Sequence, residues 1–160
     1  MYEPIMLVDR WPDADPRGHD LVTASRRFAR RLQTRLDEAL EELGVSYAQY
    51  EIMEHLAERP NLHAGELGRR LRITRQTAHG LIKQLARADL IDLLPPDGGA
   101  RPARLTPTGR RRLEHCRRAV APIHADLEQV EPDRRLTFLD SLSALDARLA
   151  PPPRRPWWLG

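Results

Sequence analysis

The feature that most constrains the fold is a change of apolar periodicity near Leu90. Over residues 64–88 the apolar residues recur at helical spacing, in two short segments separated by a turn. Two strand-like stretches follow at 91–94 and 103–106, and the turn-forming residues 95–99 lie between them. Helix, turn, helix and a short hairpin in this order predict a winged helix-turn-helix.

Longer helical patterns lie on both sides of this unit. The first helix is predicted from His19 to Leu43, and Pro107 opens a long helix in which Pro122 is expected to cause a kink or a split. Pro132 begins a last helix with leucines along one side. Such apolar seams are typical of helices that pack lengthwise on one another. The predicted fold class is therefore mainly α, with a small β-hairpin wing and a helical dimerisation region from both chain ends.

Basic residues are concentrated in the middle of the chain. From Glu66 to Arg112 there are eleven basic and four acidic residues, so this segment carries +7, and the remainder carries −4 because the whole chain carries +3. A basic block in an otherwise acidic chain is typical of a protein that binds a polyanion. A solvated basic surface has the same composition, so charge alone leaves both interpretations open.

The segment from Thr74 to Arg87 is predicted to be the helix that enters duplex DNA. On a helical wheel, the face assigned to the core consists of Ala78, Leu81, Ile82 and Leu85. The opposite face and its flanks carry no acidic residue and consist of Arg75, Gln76, His79, Gly80, Lys83, Gln84 and Arg87. The absence of a side chain at Gly80 lets the backbone approach a partner closely.

Ten residues are candidate DNA contacts: Arg72, Thr74, Arg75, Gln76, Thr77, His79, Lys83, Arg87, Arg101 and Arg104. Side chains in the first turns of a recognition helix reach base edges, where an arginine pairs with guanine and a glutamine with adenine. Lys83 and Arg87 lie further along the helix and are expected to contact phosphate. The alternatives are a basic surface helix without a partner and a winged helix that contacts an acidic protein.

The central residues resemble the MarR family of regulators. The resemblance covers about residues 43–113 and rests on Glu66-Leu67-Gly68-Arg69-Arg70-Leu71 through Leu85, on Leu90-Ile91, and on the exit Leu105-Thr106-Pro107-Thr108-Gly109. Two positions depart from the family's pattern. Asp89 replaces a glycine before the first strand, and Gly98 and Gly99 follow Asp97 where the family has a minor-groove arginine. Arg101 or Arg104 is expected to substitute for that arginine.

The resemblance implies a homodimeric transcriptional regulator, expected to be a repressor, on a pseudo-palindromic operator of double-stranded DNA. Two recognition helices would lie about 34–36 Å apart in successive major grooves. It also implies release from DNA by a small ligand, here expected to be an aromatic acid. An arginine would clamp the carboxylate and a ring would stack on the aromatic group. The candidate ligand residues are Trp11, His19, Arg26, Arg30, Tyr47 and Tyr50, for each of which plain packing or surface charge is the alternative.

Other function classes have less support in the sequence. No recognisable nucleophile triad, glycine-rich phosphate loop or carboxylate pair is present, so we expect neither an enzyme nor a cofactor. Cys116 lies in an apolar seam and is predicted to be buried, and His115 and His124 do not have metal-ligand spacing. No metal site is therefore expected, and a redox- or metal-responsive regulator is the alternative. One cysteine, no secretory signal and no membrane-length apolar run predict a cytoplasmic protein without membrane contact.

These interpretations divide the chain into five parts. Residues 1–18 are an N-terminal lead-in, 19–43 a dimerisation helix and 44–106 the winged helix-turn-helix DNA-binding domain. Residues 107–150 are the C-terminal dimerisation helices, and 151–160 form a tail. Trp157 and Trp158 in that tail are predicted to dock on the partner subunit or on the long helices.

Overall fold

The structure, a computed structural model, describes residues 21–96 and 98–149. This part of the chain contains six α-helices and a two-stranded sheet. The elements are α1 (Leu21–Leu40), α2 (Tyr47–Glu58), α3 (Ala64–Leu71), α4 (Arg75–Arg87), β1 (Ile91–Leu93), β2 (Ala103–Leu105), α5 (Pro107–Glu128) and α6 (Pro132–Leu149). The predicted mainly α class with a small β-hairpin is confirmed, and the dimerisation region stays a prediction. The predictions for residues 1–18 and for the tail with Trp157 and Trp158 lie outside the described residues.

Capping residues set the helix boundaries where the sequence indicated them. A short 3-10 turn extends α1 and ends at Gly44, whose φ of 65° is the left-handed conformation that favours glycine. Ser46 caps α2 and Thr74 caps α4, each by accepting a hydrogen bond from a backbone N–H of the first turn. Pro132 is the first residue of α6. These local interactions explain why the predicted helix starts agree closely with the structure.

The hairpin is joined by a third short segment that the sequence analysis did not predict. β1 and β2 are antiparallel, with Ile91 opposite Leu105. Leu62 forms a bridge to the other side of β2, where Ala103 N donates to Leu62 O at 2.9 Å and Asn61 N donates to Ala103 O at 3.0 Å. A strand with partners on both sides has fewer unpaired backbone groups, so the bridge restrains the start of β2.

The exit from β2 into α5 explains the Leu-Thr-x-x-Gly sequence. The hydroxyl of Thr106 donates to Asp89 O at 2.7 Å and accepts from Gly109 N at 2.8 Å. A Cβ on Gly109 would lie 1.9 Å from Leu90 O, so only glycine fits against this carbonyl. Asp89 has a φ of 57°, which accounts for the glycine that the resembling family has at this position.

The described residues up to 120 form one compact unit with an apolar core. The most deeply buried large side chains in this unit are Leu40, Ile52, Met53, Leu67, Leu85, Leu113 and Cys116. The prediction that Cys116 is buried is confirmed. Leu81 was assigned to the core but is only half-buried, because it lies at the margin of the buried stripe of α4 formed by Ala78, Ile82 and Leu85.

Pro122 does not split the helix that contains it. Of the two alternatives for this residue, a split is wrong, since α5 runs without a break from Pro107 to Glu128. Proline removes the N–H that would bond to the carbonyl four residues earlier, that of Arg118. Pro122 and Arg118 are both exposed, so water is available to that carbonyl.

The described residues from 121 onward form a second unit, which contains the end of α5 and the whole of α6. None of the described residues of α6 is buried, although the helix carries several large apolar side chains. None of the helices over residues 21–96 and 98–149 combines the length and the apolar character needed to cross a membrane.

Substituting Gly109→Ala is expected to destabilise the protein by about 3 kcal/mol or more, because the new methyl group would overlap a backbone carbonyl that cannot rotate away. The matched control is Gly80→Ala, since Gly80 is also helical but has open space around it. The control should raise stability by about 1 kcal/mol. Urea unfolding followed by circular dichroism measures both, and an unchanged midpoint for Gly109→Ala would contradict the assigned packing.

Candidate nucleic-acid interface

Helix α4 separates an apolar face from a basic one. Its buried residues are Ala78, Ile82 and Leu85. The exposed residues on its other faces include Arg75, Gln76, His79, Lys83 and Arg87. All five were predicted to contact DNA, and the structure places them on the accessible surface of one helix. Gly80 lies among them with no atom outside its own helix within 4 Å of the position that a Cβ would occupy.

The first turn of α4 is ordered by two threonine hydroxyls. Thr74 Oγ1 accepts from Thr77 N at 3.0 Å, and the two hydroxyl oxygens lie 2.8 Å apart. No acidic residue occurs in this turn, and it begins with Arg75 and Gln76. The partial positive charge of a helix amino terminus therefore adds to the arginine charge, which favours phosphate nearby. Thr74 and Thr77 thus order the turn that presents Arg75 and Gln76.

The turn between α3 and α4 is short and tightly packed. Ile73 N donates to Gly68 O at 3.0 Å, and a Cβ on Gly68 would lie 3.0 Å from Ile73 O. Arg72 ends α3 in the left-handed conformation with a φ of 54°, and its side chain is exposed. The close approach of α3 at Gly68 fixes where α4 begins. This places Arg72 just before α4, next to the basic face of that helix.

The two predicted wing arginines differ in their surroundings. Arg104 Nε lies 3.3 Å from Asp92 Oδ2, across the hairpin from it, so this guanidinium already has a carboxylate partner. Arg101 is exposed and lies nearer the tip, where Gly98 and Gly99 both have positive φ. Asp97 lies outside the described residues. Of the two arginines, Arg101 is therefore the better placed to reach a minor groove.

The predicted ligand residues that the structure describes lie on two different helices. Arg26 and Arg30 line an open groove along α1 that contains neither tyrosine. Tyr47 and Tyr50 lie on α2, where their ring centroids are 5.6 Å apart, and Tyr50 is buried. Trp11 and His19 lie outside the described residues. The described part of the chain thus supplies two accessible arginines and one half-buried ring, Tyr47, at separate places.

An ion-pair cluster between α2 and α5 was missed by the sequence analysis. Both carboxylate oxygens of Glu54 accept from the guanidinium of Arg117, at 2.9 and 2.7 Å, and Glu114 accepts from it at 2.6 Å. The hydrogen bond from Arg117 lowers the pKa of Glu54. Burial and a hydrogen bond with Glu54 raise the pKa of Tyr50. The paired residues are 63 positions apart, so no local pattern indicates this cluster.

Among the described residues, neither the surroundings of Cys116 nor the arrangement of acidic and histidine side chains indicates a reactive thiol or a metal site. Burial raises the pKa of the Cys116 thiol, which keeps it in its unreactive protonated form. Within residues 21–96 and 98–149, no three His, Cys, Asp or Glu side chains come together in a way that would hold a metal ion.

Comparison with known proteins identifies what this arrangement resembles. The family model described as MarR family matches residues 43–102. No curated protein matches the sequence. A MarR family transcriptional regulator from Silicibacter pomeroyi aligns with a TM-score of 0.68 at 22% identity, covering 82% of this chain and 90% of that one.

Two further solved structures are informative because of what they contain. The transcriptional repressor CouR, bound to a 23-mer DNA duplex, has a TM-score of 0.68 and 23% identity, with 77% of this chain and 89% of that one covered. A Mycobacterium tuberculosis MarR family protein in complex with p-aminosalicylic acid has a TM-score of 0.60 and 23% identity, with 79% and 98% covered. At these identities, the similarity establishes a shared fold.

The pairing of Glu54 with Arg117 predicts a pH-dependent stability. Because the pKa of Glu54 in the folded chain is below its ordinary value of 4.5, its stabilising contribution is present above that value. It is lost as the pH falls through the lowered pKa. Glu54→Gln is expected to cost no more than about 1 kcal/mol at pH 7, since the pair is partly exposed, and the difference from wild type should shrink below pH 4.5.

Urea unfolding of both proteins from pH 3 to 7 measures this difference. Glu114→Gln is the matched control, because Glu114 contacts the same arginine but is 61% exposed, and it should have a smaller effect. A Glu54→Gln difference of equal size at every pH would contradict the lowered pKa.

Proposed function

We propose that the chain is a dimeric, sequence-specific, DNA-binding transcriptional regulator without enzymatic activity, on the premise that residues 43–102 match the MarR family model. The single observation that carries the proposal is the division of α4 into a buried apolar face and an accessible basic face. The apolar face anchors the helix, and the basic face is available to duplex DNA. The CouR structure with bound DNA supports this use of the fold.

The proposed contacts follow from side-chain chemistry and position on α4. Arg75 and Gln76 in the first turn would read base edges, as guanine and adenine offer the matching acceptor and donor atoms. His79 would contact a base or phosphate, and Lys83 and Arg87 would contact phosphate. Arg101 is the proposed wing contact. A protein-interaction module with the same basic face is the alternative, and direct binding to duplex DNA separates the two.

Self-association is supported by the surface of α6. Leu136 is 65% exposed and Leu139 58%, and Phe138, Leu142 and Leu149 are exposed as well. Several exposed apolar side chains on one helix are unfavourable in water and are typical of an interface. The spacing of Phe138, Leu142, Leu145 and Leu149 at intervals of four, three and four residues suits packing against another helix. We therefore propose that a second copy of the chain covers α6.

We further propose that the regulator is a repressor released by a small aromatic acid. CouR is described as a repressor, and the Mycobacterium tuberculosis relative was solved with p-aminosalicylic acid. In this chain, Arg26 and Arg30 line an accessible groove, and an arginine binds a carboxylate in a bidentate manner. The alternative, a redox-responsive regulator, is disfavoured by the burial of Cys116.

Variants in α4 should separate base reading from phosphate binding. Arg75→Ala and Gln76→Ala are expected to lower the preference for operator over random duplex by about 1–3 kcal/mol each, whereas Lys83→Ala should weaken binding to both equally. Fluorescence anisotropy measures both affinities, with an operator duplex from the DNA upstream of the protein's own gene and with a random duplex. Both affinities should fall as the salt concentration rises. Sedimentation of the wild-type complex should show two chains per duplex.

Arg118→Ala is the matched control, as Arg118 is an exposed arginine on α5 outside the proposed interface. It should bind like wild type. Equal effects of all three α4 variants on operator and random DNA would show that α4 does not read sequence. Absence of any binding at low salt would refute the regulator.

Aromatic acids should bind the free protein and weaken its complex with DNA. Isothermal titration calorimetry with salicylic acid and p-aminosalicylic acid is expected to show binding heat, which Arg26→Ala/Arg30→Ala should reduce because the carboxylate loses its cationic partners. Arg59→Ala, also an exposed arginine, is the control. No heat from either acid, together with an unchanged DNA complex, would rule out this ligand class.

A further inference from the structure

The amino terminus of α2 is a junction at which α1 and α4 are both hydrogen-bonded. From α1, Asp37 Oδ1 accepts from Tyr47 N, the first N–H of α2, at 2.8 Å. The other oxygen, Asp37 Oδ2, accepts from Gln33 Nε2 at 2.8 Å. Both oxygens of this carboxylate are therefore engaged. Its negative charge also lies at the positive end of α2, which strengthens the contact.

Gln49 extends the junction from α2 to α4. Its Oε1 accepts from Ser46 N at 2.9 Å, and Ser46 Oγ accepts from Gln49 N, which completes a capping box. Its Nε2 donates to Gln84 Oε1 at 2.9 Å. One amide group thus closes the end of α2 and reaches the helix that carries the basic face.

The direction of the Gln49–Gln84 bond follows from the backbone. Ser46 N–H is only a donor, so the oxygen of the Gln49 amide must face it, and the nitrogen must face Gln84. Gln84 then turns its oxygen towards α2. Gln84 immediately follows Lys83 and lies one turn beyond Gly80, at the edge of the proposed DNA-binding face. The bond therefore holds α4 at a point next to that face.

We propose that the contacts from Asp37 to the α2 amino terminus, and from Gln49 to Gln84, couple the position of α1 to that of α4. In this arrangement Gln49 is a positioning residue for DNA binding, and Gln84 affects DNA binding through its hydrogen bond to Gln49. The inference rests on the proposed function, because it concerns how the same DNA-binding helix is held. It gives α1 a polar connection to α4 through the amino terminus of α2, in addition to the apolar core that both helices share with α2.

The physical basis is the sensitivity of base recognition to small movements of the helix, because hydrogen bonds to base edges are directional. Apolar burial of Ala78, Ile82 and Leu85 holds α4 against the core, and this interaction is non-directional. A hydrogen bond on one flank restrains rotation of the helix because it is directional. A net contribution typical of one hydrogen bond corresponds to about a three- to tenfold change in DNA affinity.

A double-mutant cycle in the full-length chain tests the coupling. Gln84→Met removes the bond while keeping side-chain length, and Gln49→Met removes it together with the capping contact to Ser46 N. Each is expected to weaken operator binding about three- to tenfold. The double variant should bind no more weakly than the weaker single variant, because the second change removes no further contact between α2 and α4. Asp37→Ala should likewise lower affinity when Gln84 is present and add nothing to Gln84→Met.

Stability and affinity are measured separately. Thermal unfolding establishes that each variant is folded at the temperature of the anisotropy titration, and Gln129→Met, an exposed glutamine outside this junction, is the control. An effect of Gln84→Met on operator affinity that is equal in the wild-type chain and in the Gln49→Met variant would mean that Gln84 contacts DNA itself. That result overturns the proposal. Additive effects of Asp37→Ala and Gln84→Met would overturn the connection to α1.

The outcomes also separate this inference from the proposed function. If the wild-type chain bound no duplex, the regulator proposal itself would fail. If wild type bound its operator and Gln84→Met bound it equally well, only the coupling would be refuted.

Discussion

The burial of one face of α4 is the interaction on which the rest of the structure depends. Ala78, Ile82 and Leu85 are almost inaccessible to water, and they face a core to which α2 and β1 also contribute. Because the hydrophobic contribution scales with the apolar area removed from water, this face determines which side of the helix is turned outward. The exposed basic face is a consequence of that burial. The residues of α4 that stay exposed then give this face its basic character.

Polar contacts at the ends of the elements add direction to this apolar core. Thr106 joins the hairpin to α5, since its hydroxyl bonds both to Asp89 O and to Gly109 N. Asp37 and Gln49 do the same where α1, α2 and α4 meet. Apolar burial is non-directional, whereas hydrogen bonds have preferred angles. The core therefore sets which elements pack together, and the polar junctions set their orientation.

The elements and the exposed site residues were predictable because their determinants are local. Ser46, Thr74 and Pro132 begin helices through contacts within one turn, and the spacing of apolar residues indicates which face is buried. The Leu62 bridge was not predictable, because its only indication is its partner on β2. The same is true of the Glu54–Arg117 pair, whose members are 63 residues apart.

The sequence by itself determined the helices, the hairpin and the basic composition of α4, because helix periodicity, capping and turn chemistry act between residues close in the chain. Only the tertiary structure decided that Arg104 is paired with Asp92, that Gln84 is bonded to Gln49, and that Arg26 and Arg30 lie apart from Tyr47 and Tyr50. These outcomes depend on distances between side chains that separate elements bring together. Such distances are set by how the whole core packs, and no local pattern encodes them.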